Sequence, residues 1–304
     1  PRYADHSLGA QVNMEAQLEH WRYSIASLRS AIRSGTVREL TEKSSLSSPR
    51  SVERLRRHDT LTSSNKGRSN LTAVDTSGRK LRYNSPISRQ DPLVNDWRKR
   101  ISGSHTPPSH QEQLLILLPC SATKPYRLSQ SHHRFLRNIP SNRAHQIMVT
   151  SPLGLVPREL EDLWPAAHYD IPVTGDWDVD ELEMVSSMLS KICERVNYSE
   201  IINHSGMDIS IDGIECYNTR RGTAGSKESL KELKSCILDS IDRMNLGDKS
   251  EKQHRMEVMK SRSRFMHGTD SWLEGSTVSG RLPILSISKD GEQLANWNPR
   301  DGRF

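Results

Sequence analysis

Leu114-Leu-Ile-Leu-Leu-Pro-Cys-Ser-Ala-Thr-Lys-Pro-Tyr-Arg-Leu-Ser-Gln-Ser-His132 is the stretch that decides the fold. Five aliphatic residues in a row, Leu114 to Leu118, predict a strand buried on both faces, as in the middle of a parallel sheet. Pro119 ends it, and polar, reactive residues follow: Cys120, Ser121, Thr123, Lys124, Tyr126, Ser129 and His132. A buried strand ending in such a cluster delivers it to the carboxyl edge of a sheet, where open α/β folds place their ligand crevices.

Downstream, helical and extended patterns alternate. Ser129 caps a predicted helix over 133–138, and Gln146 to Thr150 is a second strand running into Ser151-Pro-Leu-Gly. Glu159 to Leu163 is a short helix, and Tyr169 to Val173 a third strand. Asp178-Val-Asp-Glu181 is a capping box for a helix carrying Leu182, Val185, Leu189, Ile192 and Val196. Short strands over 200–203 and 213–217 and a helix after Ser226 complete a mostly parallel α/β core.

Upstream, Leu18, Trp21, Ile25, Leu28 and Ile32 make an amphipathic helix that needs an apolar surface to cover, with Gly35 as its stop. Thr41 to about Gln90 is rich in Ser, Arg and Thr and is expected to be a solvated linker with short helical pieces. Val94, Trp97 and Ile101 give one more short helix. Beyond Asp248, Lys252 to Phe265 is a basic helix. Leu282 to Ser288 then alternates as a strand, with a hairpin signal at Lys289-Asp-Gly-Glu292. This end is expected to be a small α+β domain.

The 304 residues allow two domains. Only 34% are hydrophobic, so part of the chain is expected to be loose. A net charge of +6 is compatible with a polyanionic partner. The four cysteines, Cys120, Cys193, Cys216 and Cys236, contain no CxxC pair, which argues against zinc and against a disulfide framework. No apolar run is long enough to span a membrane, and a reduced, cytoplasmic setting fits. The chain begins with Pro1 and is expected to be a fragment or a processed form.

The spacing Pro119-Cys120-xxx-Lys124-Pro125-Tyr126-xx-Ser129-xx-His132 fixes seven residues in fourteen positions. It resembles, without a gap, the signature of archaeosine synthases, which are related to the tRNA-guanine transglycosylases. Ser151-Pro-Leu-Gly-Leu-Val-Pro-Arg-Glu-Leu160 and His168-Tyr-Asp-Ile-Pro-Val-Thr-Gly-Asp-Trp-Asp178 also resemble that family's core domain. Ala31 to Leu40 resembles the helix that closes a transglycosylase barrel. The resemblance implies four segments. Residues 1–48 are the helical end of a transglycosylase-like domain, 49–110 the linker, 111–247 the core and 248–304 the small domain, stopping before the family's PUA domain. It implies addition of an amine, with lysine as donor, to the nitrile of 7-cyano-7-deazaguanine in the D-arm of tRNA. The product is an amidine, and a partner enzyme completes archaeosine. No cofactor is implied.

Amine addition to a nitrile needs a polarised carbon, a proton for the nitrogen and an amine that loses its own. Cys120 can add as a thiolate and form a thioimide, or be a small buried hydrophobe. Lys124 can bind phosphate or acidify Cys120, or be a surface lysine. Tyr126, Ser129 and Ser121 are candidate substrate contacts; turn packing and helix capping are the plainer roles for Tyr126 and Ser129. His132 can move protons near neutral pH, or be a solvated first-turn histidine. Asp170, Asp176 and Asp178 can accept hydrogen bonds from the base or from an incoming ammonium, Asp178 being also a natural N-cap. Lys260, Arg262 and Arg264 are candidates for contact with the tRNA backbone. Two other readings remain: a non-catalytic tRNA-binding or partner-binding module with the same core, and a generic nucleotide-binding α/β protein. The second is disfavoured by the lack of a glycine-rich phosphate loop.

Overall fold

The computed structural model describes residues 10–63, 71, 80–171 and 177–267. The chain divides into two compact units, residues 1–77 with 90–93, and residues 78–89 with 94–304.

The first unit is helical: α1 (Ala10–Ser34), α2 (Val37–Ser45) and α3 (Pro49–Ser63). Gly35, at φ 63°, ends α1 in the left-handed conformation glycine tolerates best. The apolar stripe of α1 is open, with Trp21 63% and Ile32 61% exposed. The region expected to be a solvated linker carries a fifteen-residue helix, α3. The reason is an ion cluster that hydropathy does not reveal. Buried Arg38 on α2 donates to Glu42 at 2.7 Å and, through both terminal nitrogens, to Asp59 on α3 at 2.6 and 2.9 Å. A bidentate guanidinium–carboxylate pair holds two polar helices together where few apolar residues exist to do so.

In the second unit, two-residue strands β1 (Leu81–Arg82) and β5 (Tyr169–Asp170) pair in parallel apart from the main sheet. The main sheet holds β2 (Leu114–Pro119), β3 (Ala144–Thr150), β4 (Gly154–Pro157), β6 (Glu200–Asn203) and β7 (Glu215–Asn218), in the order β4-β3-β2-β6-β7. All its pairings are parallel except β3 with β4. Leu114 to Leu118 are each 0% exposed, so the aliphatic run is the centre of the sheet. Each such side chain contributes roughly 2 kcal/mol by leaving water. The helices are α4 (Pro92–Gly103), α5 (Gln130–Arg137), α6 (Val179–Arg195), α7 (Lys227–Arg243) and α8 (Glu251–His267).

The capping residues act as their sequence predicts. Ser129 accepts from His132 N, Ser226 from Ser229 N, and Asp178 forms a complete capping box with Glu181. Two expectations need correction. The third predicted strand, 169–173, pairs with β1 and not with the central sheet, and within its described part only Tyr169 and Asp170 are extended. The helix expected over 159–163 is a single 3₁₀ turn, Arg158–Leu160. Before it runs the antiparallel edge strand β4, entered through Gly154 at φ 78°. A Cβ there would lie 2.4 Å from Met188 Sδ on α6, so this turn requires glycine. The strand and hairpin expected at 282–292 lie outside the described residues. No described helix is long and apolar enough to cross a membrane.

Candidate active site

Register fixes the geometry of the rim. Pro119 pairs with Val149, so β2 and β3 end together, and Cys120 leaves the sheet beside Thr150. Tyr126, from the 3₁₀ turn Tyr126–Leu128, and Tyr169, from β5, close in on the same point. The two phenol oxygens are 2.5 Å apart, and Thr150 Oγ1 is 2.6 Å from Tyr169 Oη. Thr150, one residue past the Val149 partner of Pro119, lies next to Cys120 and favours its thiolate. Tyr126, Thr150 and Tyr169 are 0% exposed, whereas Cys120 is only partly buried.

Lys124 stands over this group, its Nζ 4.2 Å from the Tyr169 ring centroid. It is 8% exposed and, among the described residues, Nζ has no hydrogen-bond partner. Burial pulls its pKa down, against the attraction of Cys120 and Asp170. Burial pushes the Cys120 thiol up, against the pull of Lys124 and Thr150. The two shifts bring thiol and amine towards each other, which is the condition for easy proton exchange between them.

His132 is 0% exposed and both ring nitrogens are engaged. Arg158 Nη2 can only donate, so His132 Nδ1 accepts at 3.0 Å; Nε2–H therefore donates to Pro119 O at 3.0 Å. Burial and the Arg158 charge push its pKa down to about 3. This corrects the expected proton-moving role: His132 is a neutral strut pinning the carbonyl just before Cys120. Arg158 is in turn held by Glu161 Oε2 at 3.0 Å and Gln146 Oε1 at 3.1 Å.

The other expected site residues divide. Tyr126 is wholly enclosed and offers no ring face to a base, so the stacking role falls away. Ser129 serves as N-cap, and Ser121 donates to Thr123 O at 2.9 Å. Asp170 is exposed and attracts the Lys124 ammonium. Asp178 is occupied by its cap and by an ion pair with Arg89. Asp176 lies outside the described residues. Lys260 pairs with Glu257 at 2.7 Å, and Arg264 faces Glu112 and Glu257. Arg262, 8% exposed, donates to Glu159 O at 2.7 Å and Asp162 Oδ1 at 2.6 Å. Buried and doubly bonded, Arg262 cannot reach a phosphate, which corrects the expected RNA contact. Thr150 and Tyr169 were missed as site residues. Their only sequence signal is position, each at or near the end of a predicted strand.

A second polar cluster lies at the opposite end of β3. Glu159 Oε1 accepts from His105 Nε2 at 2.9 Å and His145 Nε2 at 3.1 Å, and His145 Nδ1 meets Tyr198 Oη at 2.5 Å. Burial alone would raise the Glu159 pKa, but the two histidines hold it well below the carboxylate range. Among the described residues these three are the group whose donor atoms suit a metal ion, all within 4.8 Å of one another. As they stand, the two rings satisfy one carboxylate oxygen.

Residues 94–237 match a family model described as Domain of unknown function (DUF5591). The chain is 32% identical over 248 residues to archaeosine synthase subunit alpha of Methanosarcina acetivorans, covering 71% of this chain and 39% of that one. It is 35% identical over 202 residues to archaeosine synthase of Haloferax volcanii, covering 62% and 34%. It is 31% identical over 283 residues to archaeosine synthase subunit alpha of Thermoplasma acidophilum, covering 91% and 53%. The chain thus spans about a third to a half of the length of these relatives.

Proposed function

We propose, from the premise that this chain is homologous to the archaeosine synthases, that it carries the amine-adding centre of a tRNA-modifying transferase in archaeosine biosynthesis. The substrate is the nitrile of 7-cyano-7-deazaguanine in tRNA, the donor is lysine and the product is an amidine. The observation that carries the reading is a buried amine, Lys124 Nζ, with no hydrogen-bond partner among the described residues, poised beside a half-open thiol. An enclosed ammonium or amine without a hydrogen bond is destabilising, and such groups persist where function needs them.

The chemistry follows from that pair. Lys124 takes the thiol proton as Cys120 sulfur bonds to the nitrile carbon. The same proton passes from Lys124 to the nitrile nitrogen, giving a thioimide. The donor amine then adds to this carbon, its surplus proton returns to Lys124, and the carbon–sulfur bond breaks. Thiolate leaves, is reprotonated, and the amidine is free. No electrons are gained or lost. Asp170, exposed at the mouth, is placed to receive an incoming ammonium. The base must be extruded to reach the rim. Release of archaeosine from a lysine-bearing amidine requires cleavage within the lysine portion, so a partner enzyme belongs to the reading. The core, 111–247, carries the chemistry, and the setting is cytoplasmic.

Mass spectrometry of cyano-modified tRNA incubated with the protein and isotope-labelled lysine tests this. Label is expected in the tRNA with wild type and absent with Cys120→Ser. If wild type binds this tRNA but transfers no label from any amine, the chain is a binding module and the reading fails.

A further inference from the structure

Three oxygens behind Cys120 form one line. Tyr126 Oη and Tyr169 Oη are 2.5 Å apart, Tyr169 Oη and Thr150 Oγ1 are 2.6 Å apart, and the β2–β3 register sets Thr150 next to Cys120. They come from three separate places in the chain, the 3₁₀ turn within the signature, the end of β3 and the short strand β5. None of the three is exposed to water. Each hydroxyl has one proton to give, and the line has one end near the surface, at sulfur.

Reaction at Cys120 rests on the proposed nitrile chemistry; taking it as given, we infer that Thr150, Tyr169 and Tyr126 are positioning residues that act as a directed hydroxyl chain stabilising the Cys120 thiolate. With sulfur as a thiol, the Thr150 proton has an alternative acceptor, Ser151 O at 3.2 Å. Once sulfur becomes anionic, Thr150 turns its proton to sulfur, Tyr169 gives to Thr150 and Tyr126 gives to Tyr169. All three protons then point along the line towards the charge. Hydrogen bonds in series polarise one another, and in a water-free site this stabilises an anion more than one isolated donor would.

The arrangement also supplies what the position otherwise lacks. Burial alone disfavours a thiolate at the end of this sheet. The charged or titratable groups facing the sulfur and its amine are Lys124 from the same loop, Tyr126, Tyr169, and Asp170 and Lys80 beyond Lys124. Lys124 cannot both accept the thiol proton and remain the sole stabiliser of sulfur once it delivers that proton to substrate. The hydroxyl chain stays in place through both transfers and covers that gap.

The test is the pH dependence of iodoacetamide alkylation at Cys120, followed by mass spectrometry of its peptide in the full chain. This readout needs no tRNA and no nitrile, so it separates failure of this inference from failure of the proposed reaction. Thr150→Val should lower thiol acidity about tenfold, moving the alkylation midpoint up by about one pH unit. Tyr169→Phe should move it less and Tyr126→Phe least, while Thr150→Ser should match wild type. Thermal melting of each variant reports folding, and the two phenylalanine variants remove one oxygen each if Thr150→Val fails to fold. A graded series in that order supports the chain. A wild-type midpoint in folded Thr150→Val, or in both phenylalanine variants, overturns it.

Discussion

One strand, β3, carries two buried polar clusters of opposite character. Near its start, His145 joins His105 and Tyr198 around Glu159, and the charge of the carboxylate is met by two ring N–H groups. At its end, Thr150 joins Cys120, Tyr126 and Tyr169 beneath Lys124, whose amine lies over the Tyr169 ring and, among the described residues, has no hydrogen-bond partner. The two lie about 15 Å apart along the strand. Both are out of water, yet one is balanced internally and the other is not. A balanced cluster ties elements together; an unbalanced one has interaction left over for a substrate.

Replacing the thiol separates the two clusters most sharply. Cys120→Ser should reduce amidine formation on the order of 10⁴-fold or more in single-turnover assays, because serine at this site is a far weaker nucleophile. Stability in urea should hardly change. The mirror experiment is Glu159→Ala, which leaves two imidazole N–H groups facing a cavity. It should lower unfolding free energy by about 3–5 kcal/mol, read as a lower urea midpoint. If Glu159→Ala were neutral for folding, the division of labour between the clusters would be wrong.

The strut beneath the rim gives a pH test. His132 is held neutral, with its folded pKa near 3 against 6.5 in an open chain. Between those values the unfolded chain binds a proton that the folded one refuses, so stability present above pH 6.5 is lost as pH falls. The slope from this residue is about 1.4 kcal/mol per pH unit, or about 2 kcal/mol between pH 6.5 and 5. Urea titrations of His132→Gln should lack that contribution. An unchanged slope would show that another group governs the acid limb, such as buried His110, whose pKa burial and the neighbouring His254 lower to about 4.

Much of this fold was legible before any coordinates. The aliphatic run Leu114–Leu118 could only be a central strand, and Ser129, Asp178 and Ser226 announced their helices through capping chemistry. These are local signals, readable within a few residues. What was not legible was long-range and polar. Arg38 and Asp59 are 21 positions apart, and their pairing turned an expected linker into packed helices. Tyr169 sits 43 positions from Tyr126, and only the folded chain brings their oxygens together. The signature put Cys120 and Lys124 in one place. It misassigned His132, because spacing carries no trace of the Arg158 guanidinium that blocks the second ring nitrogen.

The smallest expected effect is also the most discriminating. In a balanced cluster, removing any charged member exposes its partners, so every truncation destabilises. Among the described residues Lys124 Nζ has no hydrogen-bond partner to strand, only the Tyr169 ring beneath it and the attraction of Cys120 and Asp170. Lys124→Met keeps the length and apolar stem, keeps contact with the Tyr169 ring and discards only the desolvated amine. The variant should therefore be more stable than wild type, by about 1 kcal/mol, while amidine formation collapses. Urea midpoint and label transfer, measured on one preparation, read both sides of that trade. A gain in stability with loss of activity marks Lys124 as a residue kept for chemistry. A loss of stability would mean that the amine has a structural partner after all, and the contrast between the two ends of β3 would disappear.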